Sequence, residues 1–454
     1  MIFAFPFMKI LAADFVLPIS ADSINSGAVA IENDKIIAVD SRKNLAEKFP
    51  EAPLEDFGES AILPGLVNTH SHLEITLMRG FLDEVEEDFY SWLMKLTKTR
   101  AEHLTETDIK IGALLGALEG ARAGVTCFGD IGRFGRAGFE ALKANGLRGV
   151  VFQETEFSPK NETAAEDFAK LEEKFLTLKA AETEFVKIGL SPHAPYTVSR
   201  ELFETIADYA IANRVKITIH AAESEMEKDL MLSGTGFFAG VYKNLGVEWS
   251  APGTSSIEYL DTIGVLRARP LLAHCIKVSD ADIDLIAATD SGIAHCPKSN
   301  AKFGHGFAPL EKFLETGVKT GFGSDSVASN NTCDILEEAR FATLVARNCK
   351  HRTKFLTARK IIETATLGGA QALGLETEIG TLEPGKQADL IVVSLSNAAQ
   401  MPVHDVYSVL LFASNARDVR LTIVGGKEIY RDGFSKKIDE TELKVKIKEI
   451  AQKM

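Results

Sequence analysis

Short β-branched runs alternate with longer amphipathic stretches between residues 66 and 330, and this rhythm constrains the fold more than any other feature. Runs of this length are typical of strands, and the stretches between them have the periodicity of helices. The predicted strands are 66–70, 125–128, 148–152, 186–191, 216–220, 271–274, 292–295 and 320–325. The predicted helices include 108–123, 164–180, 199–213, 280–289 and 309–316. Successive β/α units in this number predict an α/β fold whose strands form a (β/α)8 TIM barrel.

The two ends of the chain carry a different pattern, which predicts antiparallel strands. Residues 28–39 are typical of a hairpin with its turn at Asn33 and Asp34. Residues 388–393 and 421–430 repeat this pattern near the C-terminus. We therefore expect both ends to combine into a small composite β-sandwich. The predicted domains are 1–62 and 379–454 for the two parts of the sandwich, with a terminal helix in the second, and 63–378 for the barrel.

The composition excludes several classes of protein. A formal net charge of −14 repels a phosphate backbone, so no nucleic-acid partner is expected. No apolar stretch is long enough to cross a bilayer, so no membrane partner is expected either. Five scattered cysteines without a C-x-x-C pair indicate a reducing, cytoplasmic location. The short apolar start is a poor signal peptide, and Met8 is an alternative initiator to Met1.

Polar residues suited to catalysis lie at or just after the carboxyl ends of the predicted strands. In a β/α barrel this rim is where the active site is built. Histidines of a hydrophobic core would not be expected to gather at one end of every strand. The residues are His70, His193, His220, His274, His295 and Asp325. Their common position favours a functional site.

The segment 64–72 (PGLVNTHSH) places two histidines, His70 and His72, two residues apart at a strand end. Such residues point to the same face of a strand, so both imidazoles can converge on one point. Alone, a His-x-His pair is more often an ordinary surface or core feature. His220 and Asp325 complete a set of three imidazoles and one carboxylate. This set predicts one divalent metal ion, with Zn²⁺ favoured and Fe²⁺ or Mn²⁺ as alternatives.

Residues beside these ligands can supply the acid–base chemistry of hydrolysis. Glu223, three residues beyond His220, can carry a proton from a metal-bound water, whose pKa falls to about 7 on Zn²⁺. His274 can stabilise the attacking oxygen, and Asp325 can accept a hydrogen bond from the water. Each residue also has an ordinary interpretation, as a solvated loop carboxylate or a hydrogen-bonded core histidine. For all of these ordinary interpretations to hold together, three strands would have to place such residues at the same end of the barrel by chance.

Six motifs together resemble the amidohydrolase superfamily, in the branch of cytosine-deaminase-like and adenosine-type deaminases and chlorohydrolases. They are 64–72 (PGLVNTHSH), 191–196 (SPHAPY), 220–223 (HAAE), 295–300 (HCPKSN), 323–331 (GSDSVASNN) and 380–390 (GTLEPGKQADL). The resemblance extends over nearly the whole chain. It implies a distorted β/α barrel, a composite β-sandwich, one zinc or iron ion and hydrolytic deamination. It also makes the following residues metal ligands or catalytic groups: His70, His72, His220 and Asp325 as ligands, Glu223 and His274 as catalytic groups.

One departure within the superfamily bears on the number of metal ions. Relatives that open cyclic amides hold two metals bridged by a carboxylated lysine on the fourth strand. Here that strand ends with residues 189–193 (GLSPH), which contain no lysine, so a mononuclear site is expected. Glu154, after the third strand, is a competing carboxylate that could reach either the metal or the substrate. We favour substrate binding or support of the ligands.

Four residues are predicted to bind the substrate: Glu74, Trp92, Glu154 and His193. The resemblance suggests that His193 contacts the sugar or ring of the substrate. Glu74 could bind a ribose hydroxyl or a ring nitrogen, and Trp92 is either a lid or a helix packing residue. Arg133 or Arg136 could pair with a substrate carboxylate, or they are solvated loop arginines. The insertion 226–260 is predicted to be a loop-rich excursion that sets specificity.

The resemblance implies a metal-dependent aminohydrolase that removes the 6-amino group of a purine nucleoside and releases ammonia. The motifs are similar to two deaminase groups, one acting on methylthioadenosine, adenosylhomocysteine and adenosine, the other on 6-aminodeoxyfutalosine of menaquinone synthesis. The alternative enzyme is a chlorohydrolase or a guanine- or cytosine-type deaminase acting on a free heterocycle. A non-catalytic scaffold of the same fold is disfavoured because every ligand is present. Dimers are common in the family, so a homodimer is compatible with the resemblance.

Overall fold

Strands and helices alternate through most of the chain in a computed structural model that describes residues 8–348 and 355–454. The strands are β1 Met8–Val16, β2 Ile24–Glu32, β3 Lys35–Ser41, β4 Leu54–Asp56, β5 Ser60–Pro64, β6 Leu66–Ser71, β7 Val125–Gly132, β8 Arg148–Glu154, β9 Val186–Ser191, β10 Thr218–Ala221, β11 Leu271–His274, β12 Gly292–His295, β13 Lys319–Phe322, β14 Leu390–Ser394, β15 Val419–Val424, β16 Lys427–Arg431 and β17 Phe434–Ser435. The α-helices are α1 Arg42–Lys48, α2 Phe89–His103, α3 Glu106–Arg122, α4 Gly135–Asn145, α5 Ala164–Lys179, α6 Arg200–Asn213, α7 Glu225–Ser233, α8 Gly236–Asn244, α9 Ser256–Thr262, α10 Asp280–Ala288, α11 Pro297–Lys302, α12 Leu310–Glu315, α13 Val327–Asn330, α14 Ile335–Ala346, α15 Ala358–Glu363, α16 Gly369–Ala372, α17 Val406–Phe412 and α18 Glu440–Ala451.

Eight parallel strands form the centre of the molecule as two four-stranded sheets. One sheet has the order β6-β7-β8-β9 and the other β10-β11-β12-β13. A single parallel bridge joins the sheets at each seam, between Ser71 and Asp325 and between Leu190 and Ile217. The strands are almost completely buried, as expected for parallel strands covered by helices on their outer side. The predicted TIM-barrel-like α/β arrangement is confirmed, with all eight strands at the predicted places.

Local sequence signals explain where the surrounding helices begin and end. Thr105 and Asp108 form a capping box at the start of α3, in which each side chain accepts a hydrogen bond from the other residue's backbone N–H. The Ser199 hydroxyl accepts the Leu202 N–H at the start of α6. At the end of α4, Gly146 adopts a left-handed conformation with φ +74°. The first two caps begin their helices, and the left-handed glycine turns the chain from α4 into β8.

Strands from both ends of the chain share one sheet beside the barrel. Its order is β17-β16-β15-β14-β5-β1-β2-β3, and β4 pairs with β1. The join lies at β5, which pairs with β1 on one side and with β14 on the other. The predicted hairpin at residues 28–39 is confirmed as β2 and β3, with Asn33 in the turn at φ +55°. The sheet curls so that Ile36 N–H donates to the Lys386 carbonyl, and it encloses its own apolar core.

A buried arginine connects this sheet to the barrel. Arg148, the first residue of β8, donates from Nε to Asp389 Oδ2 at 2.7 Å and from Nη2 to Asp389 Oδ1 at 3.3 Å. Asp389 also accepts the Gly425 N–H, at 2.7 Å, from the end of β15. Since Arg148 and Asp389 are both almost inaccessible to solvent, the pair fixes the sheet against the base of the barrel.

The insertion at residues 226–260 was predicted to be loop-rich, and this prediction was wrong. The segment contains most of α7, all of α8 and the start of α9. Gly234 and Gly236 do not mark loops there. Gly234 closes α7 in a left-handed conformation, and Gly236 begins α8. Buried side chains such as Phe238 and Tyr242 give these helices an apolar cluster of their own.

Three predictions made from the composition concern cysteines, the membrane and the initiator. Cys127, Cys275, Cys296 and Cys333 are free thiols in buried positions. Within the described ranges, no helix combines the length and apolarity that a membrane span requires. The fifth cysteine, at position 349, and the choice between Met1 and an initiator at residue 8 concern segments outside the described residues.

Candidate active site

The carboxyl ends of the barrel strands bring the predicted site residues together. His70 lies on β6, His220 on β10 and His274 at the end of β11, while Asp325 follows β13. Ala222, His274 and Asp325 have positive φ angles of 53°, 74° and 54°, which non-glycine residues rarely adopt. Strained backbone of this kind concentrates at functional sites, where the surrounding structure holds it in place. The strain here lies at three strand ends of one rim.

Three imidazoles and one carboxylate converge within this rim. The Nε2 atoms of His72 and His220 are 3.2 Å apart. Asp325 Oδ1 lies 3.5 Å from His70 Nε2 and 3.6 Å from His72 Nε2. Ligand atoms of His70, His72 and His220 all lie within 4.8 Å of one another. The structure therefore groups all four predicted metal ligands around one point.

Hydrogen bonds on the far side of two rings set their orientation. His72 Nδ1 donates to the Ile131 carbonyl at 3.1 Å, and His220 Nδ1 donates to the His193 carbonyl at 3.0 Å. A neutral imidazole that donates from Nδ1 presents its lone pair at Nε2. Both lone pairs thus face the shared point. Such outer partners are the usual way in which proteins orient metal-binding histidines.

The donor set fits a divalent cation. Both ring nitrogens of His70 are buried and make no hydrogen bond within the described part of the chain, which is costly unless another ligand satisfies them. Burial lowers the pKa of His70 to about 4 and the pKa values of His72 and His220 to about 3, so all three rings are neutral at pH 7. Neutral imidazole is the form that binds a metal ion.

Asp325 is held as a carboxylate. Its Oδ2 accepts the hydroxyl of Ser299 at 2.6 Å, and its Oδ1 accepts the backbone N–H of Ser326 at 2.7 Å. Burial by itself would raise the pKa of Asp325. The neighbouring His70 and His274 outweigh burial and keep this pKa well below its ordinary value. A negative ligand therefore accompanies the three neutral ones.

Glu223 and His274 lie side by side next to the ligand group. His274 Nε2 is 3.7 Å from Glu223 Oε1, and both side chains are buried. His274 Nδ1 donates to Asn300 Oδ1 at 2.9 Å, which fixes the ring. Burial would lower the pKa of His274, but the nearby carboxylates of Glu223 and Asp325 outweigh it and raise the pKa. The pair can hold and exchange a proton beside the ligands.

A second carboxylate, Glu227 on α7, holds the backbone that carries Glu223. Its two oxygens accept the N–H groups of Ala222 at 2.8 Å and Glu223 at 2.9 Å. The hydroxyl of Ser256 donates to Glu227 at 2.5 Å. Burial raises the pKa of Glu227 to about 7. The insertion thereby stabilises the strained turn after β10.

The predicted substrate residues surround a pocket above the ligand group. The pocket is lined by Glu74, Trp92, Glu154 and His193 together with Phe89, Arg100, Arg133, Tyr196 and Phe303. Trp92 is buried, stacks on Phe89 and meets Phe303 edge-on, so it forms part of an aromatic wall. Arg133 lines the pocket, whereas Arg136 is exposed and pairs with Glu140.

The polar side chains of the pocket differ in how many of their hydrogen bonds are formed with other residues of the protein. Glu74 accepts hydrogen bonds from Arg100 and from the Phe134 N–H, both at 2.8 Å, so both of its oxygens are engaged. His193 Nδ1 is bonded to the Thr197 hydroxyl at 2.8 Å. Glu154 Oε1 is buried and has no hydrogen-bond partner within the described residues, and burial raises the pKa of Glu154 to about 7.

Comparison with known proteins decides the family. The profile of the amidohydrolase family matches residues 61–429. The chain belongs to the amidohydrolase family. The 5-methylthioadenosine/S-adenosylhomocysteine deaminase of Thermodesulfovibrio yellowstonii is 31% identical over 440 residues, covering 96% of both chains. The 5'-deoxyadenosine deaminase of Methanosarcina mazei is 33% identical over 442 residues, covering 97% of this chain and 95% of the relative.

A solved structure with a bound metal shows the same fold. The crystal structure of an adenosine deaminase from Xanthomonas campestris with bound zinc has a TM-score of 0.85 and 27% identity. It covers 98% of each chain. The predicted amidohydrolase resemblance is therefore confirmed, and the curated names agree with the predicted class of adenine-nucleoside deaminases.

Several residues of this amidohydrolase site were missed by the sequence reasoning. Tyr196 donates its hydroxyl to Glu223 Oε2 at 3.3 Å, and His305 Nε2 lies 3.8 Å from Glu223 Oε1. Tyr196 belongs to the quoted 191–196 motif, which could have indicated it. His305 stands between two glycines, Gly304 and Gly306, whose φ angles of 66° and 106° turn the chain sharply. A histidine in such a turn near the 295–300 motif was the available signal.

Proposed function

We propose that the chain hydrolytically removes the 6-amino group of an adenine nucleoside and releases ammonia. The observation that carries this proposal is the convergence of four metal-binding side chains with Glu223 and His274 at one end of the pocket. The names of the curated deaminases that cover almost the whole chain support the same reaction. In balance, the nucleoside and one water give the 6-oxo nucleoside and ammonia, so the enzyme is a hydrolase of a C–N bond in a cyclic amidine.

His70, His72, His220 and Asp325 would hold the divalent metal ion. We favour Zn²⁺, because three imidazoles and one carboxylate form a nitrogen-rich set, and because zinc is bound in the related adenosine deaminase. When bound, a divalent ion acidifies a water molecule and so makes a nucleophile available at neutral pH. The remaining steps fall to side chains of the protein.

Glu223 moves the protons of the reaction. Its carboxylate takes a proton from the attacking water and delivers it to ring nitrogen N1, which makes C6 more susceptible to attack. His274, whose pKa is raised, stabilises negative charge as it develops on the attacking oxygen. Asp325 accepts the second proton from that oxygen and passes it to the 6-amino group, which then leaves as ammonia. Since these groups are already fixed by neighbours, little rearrangement is required.

The pocket residues would orient the nucleoside. Trp92 and Phe303 offer apolar surface for the purine ring and exclude water from it. Glu154 Oε1 is free within the described residues to accept a ribose hydroxyl, and His193 would bind the ring or sugar beside it. Glu74 supports this wall through Arg100, with its oxygens already engaged.

The 5' substituent would extend toward Arg133. This guanidinium lies 3.5 Å from Glu154 and 3.6 Å from Glu156, at the mouth of the pocket. A carboxylate on the substrate could share it, which favours 6-aminodeoxyfutalosine over methylthioadenosine, adenosylhomocysteine and adenosine. We also propose a cytoplasmic location, which suits the four buried free thiols of the described chain.

Ammonia release from a substrate panel tests the proposal. Metal-reconstituted protein is assayed with 6-aminodeoxyfutalosine, methylthioadenosine, adenosylhomocysteine, adenosine and guanine. We expect turnover of the adenine nucleosides, with the highest kcat/KM for one 5' substituent. Activity on guanine alone would select the free-heterocycle alternative. No turnover of any of the five by metal-loaded protein would contradict the proposed reaction.

A further inference from the structure

His305 occupies a buried position behind the aromatic wall of the pocket. It follows α11 in a turn between two glycines, and its backbone N–H donates to the Asn300 carbonyl at 3.0 Å. The side-chain oxygen of Asn300 accepts the hydrogen bond from His274. One short segment therefore positions both histidines that approach Glu223.

Two aromatic side chains hold the His305 ring. Phe303 stacks on it with ring centroids 5.3 Å apart, and Phe89 meets it edge-on at 5.2 Å. The side chain is only 7% exposed. Its Nε2 is buried and forms no hydrogen bond with the described residues, although a buried polar atom normally has a partner. The two aromatic rings therefore fix the His305 ring in place. Its Nε2 remains available to the carboxylate of Glu223, which lies 3.8 Å away.

The carboxylate of Glu223 lies between three donors. Tyr196 donates to Oε2 at 3.3 Å, while His274 and His305 approach Oε1 at 3.7 Å and 3.8 Å. The two imidazole distances exceed a normal hydrogen bond by less than 1 Å. Catalytic hydrogen bonds are often long without substrate and shorten in the reactive complex.

We propose that His305 is a positioning residue for Glu223. This inference rests on the proposed function, in which Glu223 carries the proton to ring nitrogen N1. His305 Nε2–H donates to Oε1 and, with Tyr196 on Oε2, fixes the plane of the carboxylate. His305 gives up no proton in this role, so the reaction still converts one nucleoside and one water into the 6-oxo nucleoside and ammonia.

Other titratable groups act on the same two residues. Those that face His305 or Glu223 from the surrounding elements are His274, Lys277, Asp325, Glu227 and Tyr196. They remain in place when His305 is replaced. A fall in the kcat of a His305 variant can therefore be assigned to the lost imidazole.

Substitution of His305 tests the proposal. His305→Phe keeps the aromatic packing and removes the donor, and we expect kcat to fall by about 10- to 100-fold while KM changes by less than about 2-fold. His305→Gln, which retains an N–H donor, should restore part of kcat. Phe307→Ala, at an exposed position in the same loop, is the matched control.

Metal content, far-UV circular dichroism and the Glu223→Gln variant complete the experiment. His305→Phe should bind as much metal as the parent protein and have the same spectrum. A parent-like kcat in His305→Phe, together with an inactive Glu223→Gln, would overturn the role of His305 alone. An active Glu223→Gln would instead overturn the proposed proton carrier. If both His305 variants fail to bind metal or fail to fold, the residue has a structural role and the proposal is wrong.

Discussion

Histidines at the rim differ in the direction of their pKa shifts because their rings face different neighbours. His70, His72 and His220 are kept neutral by burial, and two of them donate from Nδ1 to backbone carbonyls. His274 faces Glu223 and has a raised pKa. One residue type thus supplies three neutral rings, the predicted ligands, and a nearby ring that takes up a proton more readily.

Glu223→Gln separates binding from catalysis at the level of a single residue. Glutamine has the same shape but cannot carry a proton, so we expect kcat to fall by about 10²- to 10⁴-fold. Metal content should be unchanged, because no predicted ligand is altered. Ammonia release and metal analysis on the same preparation check this. Turnover close to that of the parent protein would remove Glu223 from the mechanism.

Glu338 on α14 predicts a pH dependence of stability away from the pocket. It accepts hydrogen bonds from Asn330 Nδ2 at 2.6 Å and the Lys298 N–H at 3.2 Å, and burial raises its pKa from 4.5 to about 8. Between these values the folded state holds a proton that the unfolded chain has released. Stability should therefore decline as pH rises, by up to about 1.4 kcal/mol per unit.

Urea unfolding of Glu338→Gln at pH 6, 7 and 8 measures this contribution. The variant cannot lose a proton, so its stability should decline less steeply over this range than that of the parent. Glu449→Gln, on the exposed side of α18, should leave the parent slope unchanged. An unaltered slope in Glu338→Gln would show that another group controls the dependence.

Sequence reasoning placed residues together where their position along a strand determines which end of the barrel they reach. His70, His72, His220 and Asp325 lie at or just after strand ends, and the strand ends of a parallel barrel meet at one rim. Their roles as metal ligands stay a prediction. His305 has no such register, since it lies in a loop whose path depends on the φ angles of two glycines. Its distance to Glu223 arises only from tertiary packing.

At the scale of elements, the strands were predictable because buried parallel strands are continuous apolar runs. The bounds of β9, β11 and β12 agree with the prediction to the residue. The helices of the insertion were missed because Gly234 and Gly236 were interpreted as loop markers, although they lie at helix ends. A glycine that ends a helix and a glycine within a loop can adopt the same positive φ angle. The sequence alone therefore does not show which of the two positions a glycine occupies.

A close approach between α4 and β7 supports the ligand segment. A Cβ on Gly138 would lie 1.9 Å from Asp130 Oδ2. Asp130 is buried, and its Oδ1 accepts the Ser71 hydroxyl at 3.0 Å and the Leu73 N–H at 2.9 Å. These two residues flank His72. The packing of α4 against Asp130 therefore helps to hold the backbone on either side of His72, a predicted metal ligand.

Gly138→Ala should disturb both packing and metal retention. We expect a loss of about 1–3 kcal/mol in the free energy of unfolding, because α4 must move away from the Asp130 side chain, which its hydrogen bonds hold in place. Metal retention during dialysis should also fall. Gly240→Ala, in α8, is the matched control, since its Cβ would meet nothing within 4 Å. Equal stability of the two variants would contradict the packing argument.

At the scale of the whole molecule, the Arg148–Asp389 pair couples barrel and sheet. Asp389→Asn leaves the buried guanidinium with Glu378, which is about half exposed, as its remaining carboxylate partner among the described residues. Breaking one side of a buried ion pair costs about 3–5 kcal/mol. We expect a loss of this size in chemical denaturation. Glu440→Gln, which breaks the more exposed pair with Arg122, should cost less than about 1 kcal/mol.

The shared sheet also determines the order of events on the ribosome. β5 ends at Pro64 and must wait for β14, which begins at Leu390, before both of its edges are paired. At about 5–20 residues per second, translation of the intervening segment takes on the order of tens of seconds. Throughout that interval an apolar strand edge of the nascent chain is unpaired and open to aggregation. The strand that joins the two halves of the shared sheet is therefore fully paired only after the whole barrel segment has been made.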